Sequence, residues 1–170
     1  LMINVTGDRY ALSLNAIDGV HFMSSSAIQK AVQDGGVISY AGSKYELCYL
    51  GTLLNPEVSR RLDNLDADAA LVLFHSDNRR FAVQVDDIIG TREIVVKTLG
   101  PQFSGVPGLG GATILSDGQV VVIIDLNELA RVAIADLPRI GWAGKKALES
   151  DKSPANPGTL NDLTPTVLVV

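Results

Sequence analysis

A chain of 170 residues with 46 % hydrophobic and 19 % charged side chains can bury a core without a metal or disulfide staple, and its low charge excludes disorder for most of its length. The net charge of −5 and the scattered basic residues argue against a nucleic-acid binder, whose affinity rests on a cationic stripe. The single cysteine, Cys48, excludes an internal disulfide framework and fits a reducing cytoplasm, and no apolar run approaches the ~20 residues that span a bilayer. Valine and isoleucine far outnumber the aromatic residues, which make up 5 % of the chain, a bias that favours strands.

In chain order, Leu1 to Thr6 reads as a strand that turns through Gly7-Asp8 into Arg9 to Asn15, where Tyr10, Leu12 and Leu14 alternate onto one face. Val37 to Tyr40 and Tyr45 to Leu50 flank Ala41-Gly42-Ser43-Lys44 as a second hairpin. Asn55-Pro56-Glu57 is a cap followed by Pro at a first helical position, which predicts a short helix from Pro56 to about Leu65. Leu71 to Phe74 is a strand, His75-Ser76-Asp77-Asn78 its turn, and Arg80 to Asp86 the returning strand. Ala112 to Leu115 and Gln119 to Ile124 flank Ser116-Asp117-Gly118, and Asp-Gly between apolar runs is a strong hairpin signal. Asp125 with Glu128 resembles a capping box, with Leu126, Leu129 and Ile134 on one helical face.

The grammar repeats. Tyr10, Ala11, Leu12, Leu14 and Ile17 answer to Phe81, Ala82, Val83, Val85 and Ile88 at a constant offset of 71. Leu47-Cys48-Tyr49-Leu50 and Leu53 answer to Ile123-Ile124-Asp125-Leu126 and Leu129 at an offset of 76. Two copies of a unit of about 70 residues follow. Curling five short strands into a barrel removes exposed sheet edges. The expected fold is therefore all-β: two pseudo-repeated five-stranded small barrels, interleaved around roughly 1–66 and 67–138, with short helices. The Gly-, Lys-, Ser- and Pro-rich stretch 139–164, with Trp142 its one large anchor, reads as a linker. Residues 165–170, Pro165 to Val170, read as the first strand of a following domain, cut short. Both ends of the chain look cut, as in a fragment of a longer protein.

Catalytic chemistry finds little material. His75-Ser76-Asp77 holds the residue types of a hydrolase triad, but contiguous residues on a turn cannot converge as separate elements do. His21 is expected at a strand end near the surface. Cys48 lies in an alternating apolar strand, where a thiol packs as a small hydrophobe. One Cys and two widely separated His match no zinc spacing. Asp86-Asp87, adjacent on a strand, would point to opposite faces. Gly105 to Gly111 departs from the dinucleotide-binding spacing and leads into a strand rather than a helix, so it reads as a connection and not a phosphate cradle. No catalytic, metal or cofactor-binding residue is expected in this segment.

Arg80-Phe81-Ala82-Val83-Gln84-Val85-Asp86-Asp87-Ile88-Ile89-Gly90, Ile94-Val95-Val96-Lys97 and Gly111-Ala112-Thr113-Ile114-Leu115-Ser116-Asp117-Gly118 together resemble the CheW-like domain, in the version carried by CheA-type chemotaxis histidine kinases. Gly7 to Leu14 matches an opening strand of the same family, and the resemblance covers roughly residues 1 to 136. Adaptors of the family commonly carry Asn-x-Arg-Gly before the second hairpin, whereas this chain has Ile38 to Tyr45 there, without an Arg-Gly pair. Tyr40-Ala41-Gly42-Ser43-Lys44-Tyr45, followed by Tyr49-Leu50-Gly51, is similar to hybrid kinases that serve type IV pili and twitching motility.

The resemblance implies a scaffold that couples a kinase to chemoreceptors, docking a CheW-type adaptor and a receptor cytoplasmic tip, with neither nucleic acid nor membrane insertion. It also implies a cytoplasmic setting in membrane-associated receptor arrays, a kinase domain before Leu1 and a phosphorelay receiver domain beginning at 165–170. A free-standing adaptor without kinase activity is the alternative. Val20, Phe22, Val37, Ile38, Ile88 and Ile89, apolar residues near strand ends, are the partner-binding candidates, each weighed against a place in the core.

Overall fold

The structure is a computed structural model and describes residues 1–58, 68–103 and 105–135. The elements are β1 (Met2–Val5), β2 (Asp8–Leu12), β3 (Gly19–Ser24), α1 (Ser25–Gln33), β4 (Val37–Tyr40), β5 (Ser43–Tyr49), α2 (Leu50–Leu54), β6 (Asp68–Ser76), β7 (Arg79–Val85), β8 (Asp87–Gly90), β9 (Leu109–Ile114), β10 (Val120–Ile124) and α3 (Leu126–Ala135). The strands form two five-stranded sheets. The first runs β8-β1-β2-β10-β9 and the second β3-β6-β7-β5-β4. The all-β expectation with short helices holds.

Neither half of the chain folds into one sheet by itself. Each half donates its opening hairpin to the sheet that the other half completes. The exchange is made by two parallel contacts, Glu46↔Phe81 to Tyr49↔Gln84 between β5 and β7, and Val122↔Tyr10 to Ile124↔Leu12 between β10 and β2. These contacts are equivalent residue for residue under the offsets of 71 and 76, so the duplication seen in the sequence relates one sheet to the other.

Three buried clusters account for the alternation. The largest lies between the sheets and takes Ile3, Val5 and Leu12 from the first, Val72, Phe74, Phe81, Val83 and Val85 from the second, and Leu50, Leu126 and Leu129 from the helices that follow β5 and β10. A second fills the curl of the second sheet with Ile28, Ile38, Tyr45, Leu47, Leu71, Leu73 and Ala82. A smaller one fills the first sheet with Met2, Ala11, Leu115, Val121 and Ile123. Both faces of β6 and β7 are thus buried, which is why they read as continuous apolar runs.

The two sheets close differently. On the second, His21 of β3 and Tyr40 of β4, the opposite edges, bring their rings to 4.6 Å. On the first, the chain leaving β8 crosses to the far edge and pairs with β9 through a Lys97–Ala112 bridge, with N–H···O distances of 2.8 and 3.0 Å.

Local chemistry places the turns and caps. The β1–β2 turn is Thr6-Gly7, with Thr6 at φ 55° and Gly7 at 90°. Asp77, at φ 53°, occupies the equivalent corner of β6–β7. The turn therefore begins at Asp77, not at His75, which is still paired with Arg80 in the strands. Asp125 Oδ1 accepts the N–H groups of Asn127 and Glu128 at 2.9 and 3.1 Å, capping α3 as expected. Leu126 and Leu129 are buried, while the side chain of Ile134 lies outside the described residues.

Several local expectations are corrected. The strand read over Arg9 to Asn15 stops at Leu12, and Leu14 opens a single 3₁₀ turn, exposed, that carries the chain to the second sheet. Helix α1 was not expected, although Ser24 caps it by accepting from Ala27 N–H and Ile28, Ala31 and Val32 turn one face to the core. Around the helix expected from Pro56, Asn55 Oδ1 accepts from Glu57 N–H at 3.0 Å, and Pro56-Glu57 make a turn. Residues 59–65 of that segment lie outside the described residues, as do the linker 139–164, Trp142 and the 165–170 run.

Candidate functional site

The triad-like residues are separated by the strand alternation. His75 is exposed and its Nδ1 lies 2.8 Å from Asp18 Oδ1, Ser76 is buried, and Asp77 turns the hairpin. Cys48 is buried in the inter-sheet core, its thiol 3.9 Å from Ala82 O. Asp86 and Asp87 do not share a strand. Asp86 sits at the bend between β7 and β8, where it accepts from Tyr49 O–H at 2.7 Å and Thr6 N–H at 2.6 Å, while Asp87 accepts from Ile88 N–H. Among the described residues no group of three or more His, Cys, Asp or Glu could hold a metal ion. The glycine stretch serves close packing. A Cβ on Gly108 would stand 2.8 Å from Leu129 Cδ1, and one on Gly111, at φ 146°, would stand 3.0 Å from Lys97 O.

The apolar candidates divide by alternation. Val20 and Phe22 point outward from the edge strand β3, Phe22 with 57 % of its surface exposed. Val37 is exposed on the outer face of β4. Its neighbour Ile38 faces inward at 4 % exposure, packed among Ile28, Tyr45 and Leu47, and offers no surface. Ile88 is half-buried against the inter-sheet core, and Ile89 is exposed beside a β1–β8 register shift. Val20, Phe22 and Val37 thus lie on the two edge strands of one sheet, whereas Ile88 and Ile89 belong to the other.

Sequence reasoning missed a second exposed apolar row. Val120 of β10 faces Ile114 of β9 in direct register, and the antiparallel bridge at Lys97 carries Val95 back toward Ile114. Val95, Ile114 and Val120 are 78, 56 and 67 % exposed. The signal was available, since three β-branched residues at outward strand positions break the polar alternation expected of a solvent face. Behind the row, Val122 and Tyr10 pack against the inter-sheet core, and burial together with Asp8 pushes the Tyr10 phenol above its ordinary range.

On the second sheet the equivalent positions are polar. Lys44 answers to Val120, Glu46 to Val122, Ser39 to Ile114 and Arg79 to Asp8. Arg79 donates to both carboxylate oxygens of Glu46, Nε to Oε1 at 2.7 Å, and lies 5.4 Å from the Phe81 ring centre. That hydrogen bonding holds the Arg79 pKa above its ordinary value.

Two curled five-stranded sheets with exchanged hairpins and exposed apolar rims define the fold. Residues 1–133 match the CheW-like domain, and the chain belongs to that family. Its similarity runs in particular to chemotaxis protein CheA. It is 35 % identical over 130 residues to the protein of Halobacterium salinarum and 30 % identical over 139 residues to that of Salmonella typhimurium. Both matches cover 76 % of this chain but only 18 and 19 % of those proteins. The fold is shared with the scaffolding protein TtCheW of Thermoanaerobacter tengcongensis, at a TM-score of 0.55 and 14 % identity over 76 % of this chain and 84 % of that one. No helix among the described residues is long and apolar enough to cross a membrane.

Proposed function

We propose that the chain is the coupling domain of a chemosensory two-component histidine kinase. It docks a CheW-type adaptor and a chemoreceptor cytoplasmic tip, and through them regulates autophosphorylation by a kinase domain of the same polypeptide. The observation that carries this reading is the match to chemotaxis protein CheA along three quarters of the chain. The exposed apolar residues Val20, Phe22, Val37 and Ile89 supply partner contacts at strand edges, each modest alone and strengthened by repetition in an array at the membrane. The Tyr40 to Tyr45 pattern favours a hybrid kinase of the type IV pilus and twitching class, with a receiver domain after the linker.

The test is a pull-down with the adaptor and a receptor tip encoded by the same genome. Retention of either supports the reading, and failure of a folded chain to retain both overturns it. A free-standing adaptor is the second reading, favoured by the superposition on 84 % of a scaffolding protein. An ATP-binding motif upstream of Leu1 in the reading frame separates the two.

A further inference from the structure

We propose that the row Val95–Ile114–Val120, ending on Asp8, is the surface that seats the adaptor. The adaptor surface it takes is an apolar strip closed by a basic side chain. This rests on the coupling reading above and assigns to it a face and a chemistry.

The row is the outer rim of the first sheet. Stepping two residues back from the parallel pair Val122↔Tyr10 sets Val120 beside Asp8, and both line one groove with Gly7, Arg9, Tyr10, Gln119 and Val122. Across four strands at about 4.8 Å each, the row spans roughly 14 Å. Its floor is continuous with the inter-sheet core through Tyr10 and Val122, so a partner seated here extends an existing hydrophobic contact. Isolated exposed aliphatics are ordinary, but Val120 and Ile114 in direct cross-strand register, with Val95 two residues before the Lys97 bridge to the same strand, form a patch.

The charge at the end of the row selects the occupant. Asp8 is exposed and takes part in none of the described ion pairs, whereas Arg9, which lines the same groove, is engaged by Gln119 and Asp117. A carboxylate at the rim of an apolar strip attracts a partner that brings a cation to that point and disfavours one that brings an acid. The second sheet shows that this fold can supply the complement, because it places Lys44 and Arg79 where the first has Val120 and Asp8. An adaptor of the two-sheet fold, such as the scaffolding protein this chain superposes on, has an equivalent rim on which to carry such a cation.

The experiment is calorimetric titration of the 170-residue chain with the purified CheW-type adaptor of the same genome. Ile114→Glu and Val120→Lys, both on exposed positions, are expected to weaken binding at least tenfold with circular dichroism and urea midpoint unchanged. Asp8→Lys is expected to weaken it about tenfold, and Asp8→Asn to flatten its salt dependence. Gln29→Glu, on the exposed face of α1 and away from this row, leaves the affinity within twofold. Folded Val120→Lys and Asp8→Lys chains with wild-type affinity overturn this surface while leaving the coupling reading in place. A wild-type chain that binds a receptor tip but no adaptor overturns the surface alone. One that binds neither overturns both.

Discussion

The two sheets are copies of one design that differ most where the core constrains them least. Inward positions keep their character across the duplication, as Leu47 against Ile123 and Ala82 against Ala11 show, because a closely packed interior resists changes of volume. The rims have no such constraint. At equivalent places one carries Lys44, Glu46 and Arg79 and the other Val120, Val122 and Asp8. The seams diverge as well, one closed by a side-chain contact between His21 and Tyr40, the other by main-chain bonds at Lys97 and Ala112. The asymmetry is therefore confined to surface that packing leaves free to vary.

The comparison breaks most sharply at the equivalent residues Phe81 and Tyr10. Phe81 is fully buried between the sheets, stacked on Phe74 at 5.2 Å between ring centres, whereas Tyr10 is only half-buried at the groove. Phe81→Ala is expected to cost about 4 kcal/mol in urea unfolding, and Tyr10→Ala less than about 2 kcal/mol. Equal losses would mean that the two sheets contribute alike to the shared core, and the asymmetry drawn here would fail.

A smaller effect separates the two crossovers. The link from β7 to β8 is pinned by Asp86, which holds Tyr49 of the second sheet and Thr6 of the first, and whose own N–H donates to Asn4 O at 3.1 Å. The equivalent residue in the other crossover, Asn15, is exposed, and none of the described hydrogen bonds uses its side chain. Asp86→Ala is expected to lower stability by about 1.5 kcal/mol, for one charge-assisted contact to a buried tyrosine and one to an exposed N–H. Asn15→Ala should change it by less than about 0.5 kcal/mol. Chemical denaturation of the two variants side by side decides whether one crossover is latched and the other loose.

Strand positions were legible in the sequence because alternation and turn chemistry are local: the Asp117-Gly118 corner and the Asp125 cap could be read off, and the first turn, expected at Gly7-Asp8, falls one residue earlier at Thr6-Gly7. The exchange of hairpins was not, since which copy of a half-buried strand pairs with which is decided by tertiary contact, and β2 meets β10 across more than a hundred residues. The same limit governs the surface. Ile38 and Val37 look alike in sequence, yet one step of the pleat buries the first and exposes the second. Ile114 and Val120 were read as ordinary strand residues and Val95 only as part of the family pattern, because the register alone shows that they lie on one outer face. Helix α1 escaped notice for a local reason: its short apolar stripe follows three serines that also fit a turn.

The smallest effect sharpens the Tyr10–Phe81 comparison from the side of pH. Burial, and after it the nearby Asp8 carboxylate, raises the Tyr10 pKa above its ordinary value of about 10 in the folded protein. The unfolded chain therefore gives up this proton first. Below about pH 10 the phenol is neutral in both states and takes nothing from stability. As pH rises past that point the unfolded state is favoured, and the loss grows until the folded phenol also ionises, after which it is constant. Tyr10→Phe, which makes the first sheet resemble the second at this position, removes that share of the alkaline loss. The urea midpoints of wild type and variant should run parallel from pH 7 to 9 and separate above about pH 10, with the variant falling less steeply. The difference between the two curves carries the result. Curves that stay parallel through pH 11 would place the Tyr10 hydroxyl in free solvent, and the groove between β2 and β10 would then be more open than its packing against the inter-sheet core requires.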